Sequence, residues 1–188
     1  MLMQTRYSIR AIPATMRGFA LLETLITIVI LAFGLLALAG LQAKLQTTEM
    51  ESYQRSQAII LLQNMAARIN ANRAAAADYV SGGPIGVGDD QPADCTALAV
   101  GAARDTCEWS NALKGTAEVS GESNLGAMIG ARGCIEQTNA NPLRVRITIA
   151  WQGLNKTTAP SLDCAQGQYG EEAYRRVISQ QITIGNLI

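Results

Sequence analysis

Residues 17–41 read RGFALLETLITIVILAFGLLALAGL. From Phe19 to Leu41 nearly every side chain is apolar or small. At 1.5 Å rise per residue a helix of this length measures about 34 Å, enough for the roughly 30 Å hydrocarbon core of a bilayer. One residue breaks the run. Glu23 sits a few positions past the basic flank, where a carboxylate costs on the order of a few kcal/mol unless it finds a partner. An ionisable group at such a place is a candidate functional residue in its own right. An ordinary secretory signal is the competing reading, because Ala37-Leu38-Ala39 before Gly40 satisfies the small-residue rule for signal peptidase. Glu23 and the length of the apolar run speak against it.

Residues 1–18 carry Arg6, Arg10 and Arg17 and no acid. The cluster places the amino terminus in the cytoplasm and the remainder on the far side of the membrane. The whole chain has 188 residues with 15 basic and 15 acidic side chains. Loss of residues 1–18 leaves 12 basic side chains against 15 acidic ones. That balance argues against a dedicated nucleic-acid binder, which needs a basic patch. Four cysteines suit an oxidising compartment.

The helix is expected to continue from Phe19 to about Ala77, with an apolar half (19–41) and an amphipathic one (42–80). In the second half Ile59, Leu62, Met65, Ala66 and Ile69 recur at three- and four-residue steps, a stripe suited to packing on a sheet. Gly82-Gly83-Pro84 ends the pattern. Residues 81–125 have little periodicity and read as a variable loop region, with a turn at 86–90, a short loop between Cys95 and Cys107, and a short helical turn at 109–117. Residues 126–188 read as strands at 131–137, 143–151 and 174–184. In the second of these Leu143, Val145, Ile147, Ile149 and Trp151 alternate with Arg144, Arg146 and Thr148. The expected fold is α+β: a long amino-terminal helix, its first half transmembrane, packed on one face of a small antiparallel sheet.

The chemistry of catalysis is thin. There is no histidine, which removes Ser-His-Asp and Cys-His catalysis and histidine metal sites together. The cysteines lack metal-site spacing, and no phosphate-binding glycine motif is present. Asp89, Asp90 and Asp94 do not follow the calcium-loop spacing and read as a solvated turn. Arg144 and Arg146 read as a solvated sheet face rather than a phosphate site. No cofactor, no metal and no catalytic residue is expected, and the chain reads as a substrate of enzymes rather than an enzyme.

The segment Gly18-Phe19-Ala20-Leu21-Leu22-Glu23, with a basic residue before it and an apolar helix after it, resembles the processing signal of type IV pilins and type II secretion pseudopilins. The resemblance implies cleavage between Gly18 and Phe19 by a prepilin peptidase that also N-methylates Phe19. It implies that Glu23, fifth in the mature chain, pairs in the fibre with the amino terminus of a neighbouring subunit. The runs ARGCIEQ, LRVRITIAWQG and YRRVISQQITI are similar to the PilV group of minor pilins, the type IV pilus modification proteins. The likeness implies a pilin-like fold, an inner-membrane single pass with a periplasmic domain before assembly, and then residence in a pilus. The implied partners are the peptidase-methyltransferase, other minor and major pilins, the inner membrane and the pilus assembly machinery, with no nucleic acid. A pseudopilin of a type II secretion system and a periplasmic domain on a simple anchor are the alternatives. Four cysteines allow three pairings. Proximity favours Cys95–Cys107, and the carboxy-terminal disulfide loop of many pilins suggests Cys134–Cys164.

Overall fold

The computed structural model describes residues 17–116, 119–120, 123–124 and 128–185, with side chains for 21–116 and 128–185. The leader assignment therefore falls mostly outside the described residues. The chain divides into two compact units, residues 1–46 and 47–188. The fold is α+β, with one long amino-terminal helix and a small antiparallel sheet toward the carboxy terminus.

Helix α1 spans Arg17–Ala71 and contributes to both units. In the first unit its side chains from Leu21 to Leu45 are exposed all round, including Leu25, Ile28, Phe33, Leu36 and Leu41. An apolar helix without a wet face is suited to lipid or to a bundle of like helices. Its length and composition make it a candidate membrane span. In the second unit one stripe of α1 is buried: Gln54, Ala58, Leu62, Met65, Ala66 and Ile69. The α-helix stops sooner than the expected Ala77. Asn72 leaves helical geometry at φ −111° and ψ 47°, and Arg73–Tyr79 winds on as a 3-10 helix with an irregular Ala75. The tighter winding buries Ala76 and Tyr79.

Among the described residues six strands follow the helix: β1 (Ile85–Gly86), β2 (Val119–Ser120), β3 (Ser123–Asn124), β4 (Ile129–Ala140), β5 (Leu143–Gln152) and β6 (Arg175–Ile184). The main sheet has the order β1-β4-β5-β6, antiparallel at every pairing. The short pair β2 and β3 stands apart from it. β4 is longer than the expected 131–137, and β6 starts after a 3-10 turn at Glu172–Tyr174. The alternation in β5 sets the packing. Val145, Ile147, Ile149 and Trp151 join Leu62, Met65 and Ile69 of α1 in one core, with Leu143 half-buried beside them. Burial of each such aliphatic side chain stabilises by about 1.5–3 kcal/mol.

Two expectations need correcting. The expected helical turn at 109–117 is instead α2 (Ala102–Leu113). It begins behind Gly101, whose φ of 122° suits glycine, and Asp105 N–H donates to Gly101 O to open the first turn. It ends in a paired C-terminal motif: Gly115 N–H bonds Ala112 O and Thr116 N–H bonds Asn111 O, with Gly115 at φ 70°. Nor is the sheet covered on one face only. Thr148, expected on a solvated face, is buried together with Ala150 on the side away from α1. There a second cluster forms from Cys134, Ala150, Cys164, Ala165 and Tyr169, with Val177 packed against it.

Candidate functional site

Gly18 and Phe19 lie in the first turn of α1, and Glu23 follows one turn later as an exposed carboxylate amid exposed aliphatic side chains. The hydroxyls near it turn inward on the helix. Thr24 Oγ1 donates to Leu21 O at 2.9 Å and Thr27 Oγ1 to Thr24 O at 2.8 Å. Both polar groups are thereby satisfied by the helix backbone, which suits a segment withdrawn from water. A carboxylate has no such recourse, because it only accepts, and helix N–H groups beyond the first turn are already used.

The cysteines are joined as Cys95–Cys107 and Cys134–Cys164, each with Cα atoms 5.8 Å apart. The first ties the 90s loop to α2. Asn111 reinforces it by donating to Pro92 O at 3.1 Å and Ala93 O at 2.9 Å. The second ties β4 to the loop between β5 and β6. Arg175, the first residue of β6, buries its guanidinium against that loop, donating to Cys164 O at 3.1 Å and Pro160 O at 3.3 Å, while its Nε pairs with Glu172. The Gly167 N–H and then the Arg175 guanidinium hold the Glu172 carboxyl below its ordinary range.

Three polar clusters escape a reading of motifs. Glu51 of α1 accepts through Oε1 from Leu154 N–H at 3.2 Å and Asn155 N–H at 3.0 Å, and pairs with Arg176 at 3.3 Å. Arg176 in turn donates to Thr157 Oγ1 at 2.7 Å. Beside this clamp lies a cleft of about 200 Å³ lined by Thr48, Glu51, Ser52, Arg55, Trp151 and Arg176. In the second cluster Asp89 accepts from Gly86 N–H at 2.8 Å and Ser110 Oγ at 2.7 Å and pairs with Lys114. Burial alone would raise its pKa, but the Gly86 N–H, Lys114, Ser110 and the Gln91 N–H together outweigh it and hold it below the ordinary carboxylate value. The expected solvated turn at Asp89 is thus a half-buried anchor for α2. Asp94 instead caps Thr96, accepting from its N–H at 2.9 Å and its Oγ1 at 2.7 Å. In the third cluster Arg68 bonds both Asp105 and Glu108 at 2.7 Å, and the Tyr79 hydroxyl donates to Asp105. Burial, then the Asp105 bond, raises the Tyr79 phenol.

Each cluster joins one element to another, and each carboxylate in it is occupied by donors. Arg146, expected on a solvated face, stands 3.8 Å from Glu136 across the β4–β5 ladder. Gln54 is an exception to the general satisfaction: it is 2% exposed, and its Oε1 has no hydrogen-bond partner among the described residues. Among the described residues no group of three or more histidine, cysteine or acidic side chains converges as for a metal ion. No family model, no curated protein and no solved structure matches this chain.

Proposed function

We propose that this chain is a minor pilin of a type IV pilus, held in the inner membrane by the first half of α1 and drawn from it into the fibre. The observation that carries the reading is the position of Glu23. It is the one acid in the apolar half of α1, residues 19–41, and the fifth residue after a Gly-Phe junction with a basic residue before it. The same helix continues into a domain where its second half seals an antiparallel sheet. In the membrane Glu23 lies near the cytoplasmic interface, within reach of water and headgroups. Inside a fibre it is desolvated and needs a cation. The amine of a methylated Phe19 on a neighbouring subunit supplies one and fixes the register between helices. The prepilin peptidase makes that amine, so processing and assembly are linked through one pair of charges.

The test is Glu23→Val. The variant is expected to remain membrane-inserted and processed, while its share in sheared pili falls by about tenfold or more, as loss of one partner of a buried pair implies. Glu23→Asp is expected to be partly defective, because its shorter arm misplaces the charge. Wild-type proportions of Glu23→Val in the pilus fraction would refute the role.

A further inference from the structure

The two edges of the four-stranded sheet differ. The β4 edge is closed by its own chain. Ile85 and Gly86 pair with Gly133 and Arg132. Ser81 N–H donates to Ile135 O at 2.9 Å, and Ser81 Oγ accepts from Ile135 N–H at 3.0 Å. Among the described residues no strand pairs with the outer edge of β6. β6 pairs with β5 through ten successive residues, Gln152↔Arg175 to Leu143↔Ile184, without a bulge.

One hydrogen bond fixes which backbone groups of β6 face outward. Gly153 N–H donates to Tyr174 O at 2.8 Å, one step beyond the ladder. Since successive residues of a strand direct their N–H and C=O to opposite sides, the even-numbered residues of β6 face β5. Val177, Ser179, Gln181 and Thr183 direct theirs away from the sheet. Ser179, Gln181 and Thr183 are exposed, and among the described residues no backbone bond reaches these groups. Near the start of β6 the edge is covered, because Thr157 N–H donates to Ala173 O at 2.8 Å. The open stretch begins at Val177.

Sheet edges are ordinarily kept from pairing by lysine, proline, a bulge or shortness. Residues 177–185, VISQQITIG, contain neither charge nor proline. We propose that the outer edge of β6, residues 177–183, is a docking site for an extended segment of another polypeptide, which adds to the sheet as a further strand. The complement of four outward N–H and four outward C=O groups is another extended backbone. Covering the stretch takes about seven residues, or roughly 20 Å of strand. With no charge along residues 177–184, the edge selects an uncharged segment with β-branched or apolar side chains at alternate positions. This inference stands on the sheet alone and holds whether or not the chain enters a pilus.

The experiment uses the full chain in detergent micelles and an acetylated, fluorescein-labelled probe peptide of sequence KTVTVTVTK. In the free protein the amides of Val177, Ser179, Gln181 and Thr183 are expected to exchange at least about tenfold faster than those of Ile178, Gln180 and Ile182, and to slow on adding peptide. Gln181→Pro removes one outward donor and none that faces β5, so the fold is kept and peptide affinity falls by about tenfold or more. Gln181→Lys places a charge on the edge with no backbone change and is expected to weaken binding likewise, which keeps the test open if the proline variant misfolds. Outward amides as protected as the inward ones in the free protein would overturn the proposal, as would protection that grows with protein concentration, the mark of a second copy. Peptide affinity unchanged in both variants would overturn it too.

Discussion

Trp109 occupies the space that a side chain on Gly133 would need: a Cβ built there would overlap Cη2 and Cζ3 of the indole. The tryptophan is buried, and its Nε1–H donates to Leu61 O at 2.9 Å. One indole therefore joins α2, the central β4 strand and α1. Gly133→Ala forces the ring out of place and is expected to destabilise the domain by about 3 kcal/mol, the upper end for overpacking. Trp109→Phe, which leaves Gly133 uncrowded, is expected to cost less, about 1–2 kcal/mol, for the lost hydrogen bond and ring volume. Chemical denaturation of the full chain in micelles measures both. A Gly133→Ala protein as stable as wild type would contradict the packing.

The Asp89 anchor makes a prediction about pH. Its folded-state pKa lies below the ordinary value of 3.8. A depressed carboxylate stabilises the fold above its unfolded pKa, and the contribution is lost as pH falls through the folded one. Asp89→Asn is therefore expected to lower the melting temperature at pH 7, with the gap to wild type narrowing below about pH 4. A gap that stays constant down to about pH 2 would mean that the charge of Asp89 does not matter.

The helix stripe and the β5 alternation were legible because burial on one face imposes a period, and a period survives in sequence. Ile147 and Ile149 declare their face whatever packs on it. Gly133 and Trp109 do not, since the glycine is required by a ring 24 positions earlier in the chain. β1 is two residues held by backbone pairing, which leaves no side-chain pattern. α2 has only Cys107, Trp109, Ser110 and Leu113 to bury, too few and too mixed in polarity to mark a stripe, although Gly101 and Gly115 punctuate both ends. The second face of the sheet was hidden because its cover, Cys164 to Tyr169, comes from an irregular loop. Of the candidate site, Gly18, Phe19 and Glu23 form a local motif and could be read directly. The Glu51–Arg176 pair spans 125 positions and could not.

The two disulfides are expected to differ in worth. Their partners are 12 and 30 residues apart. In the loop-entropy picture each stabilises by about 2–4 kcal/mol, with the longer loop ahead by roughly 0.8 kcal/mol. Replacing Cys134 and Cys164 together by alanine is expected to lower the unfolding free energy more than replacing Cys95 and Cys107 together. The reverse order, in equilibrium denaturation, would mean that the loop closed over Thr148 and Ala150 is held by Arg175 and Tyr169 without help from the disulfide.

In the proposed function α1 begins its mature life at Phe19. Intact-mass and peptide mass spectrometry of the protein recovered from its native membrane tests this most directly. The expected result is a chain lacking residues 1–18, with a singly N-methylated Phe19 at its amino terminus. A terminus at Gly40, or an uncut chain still beginning at Met1, would contradict it.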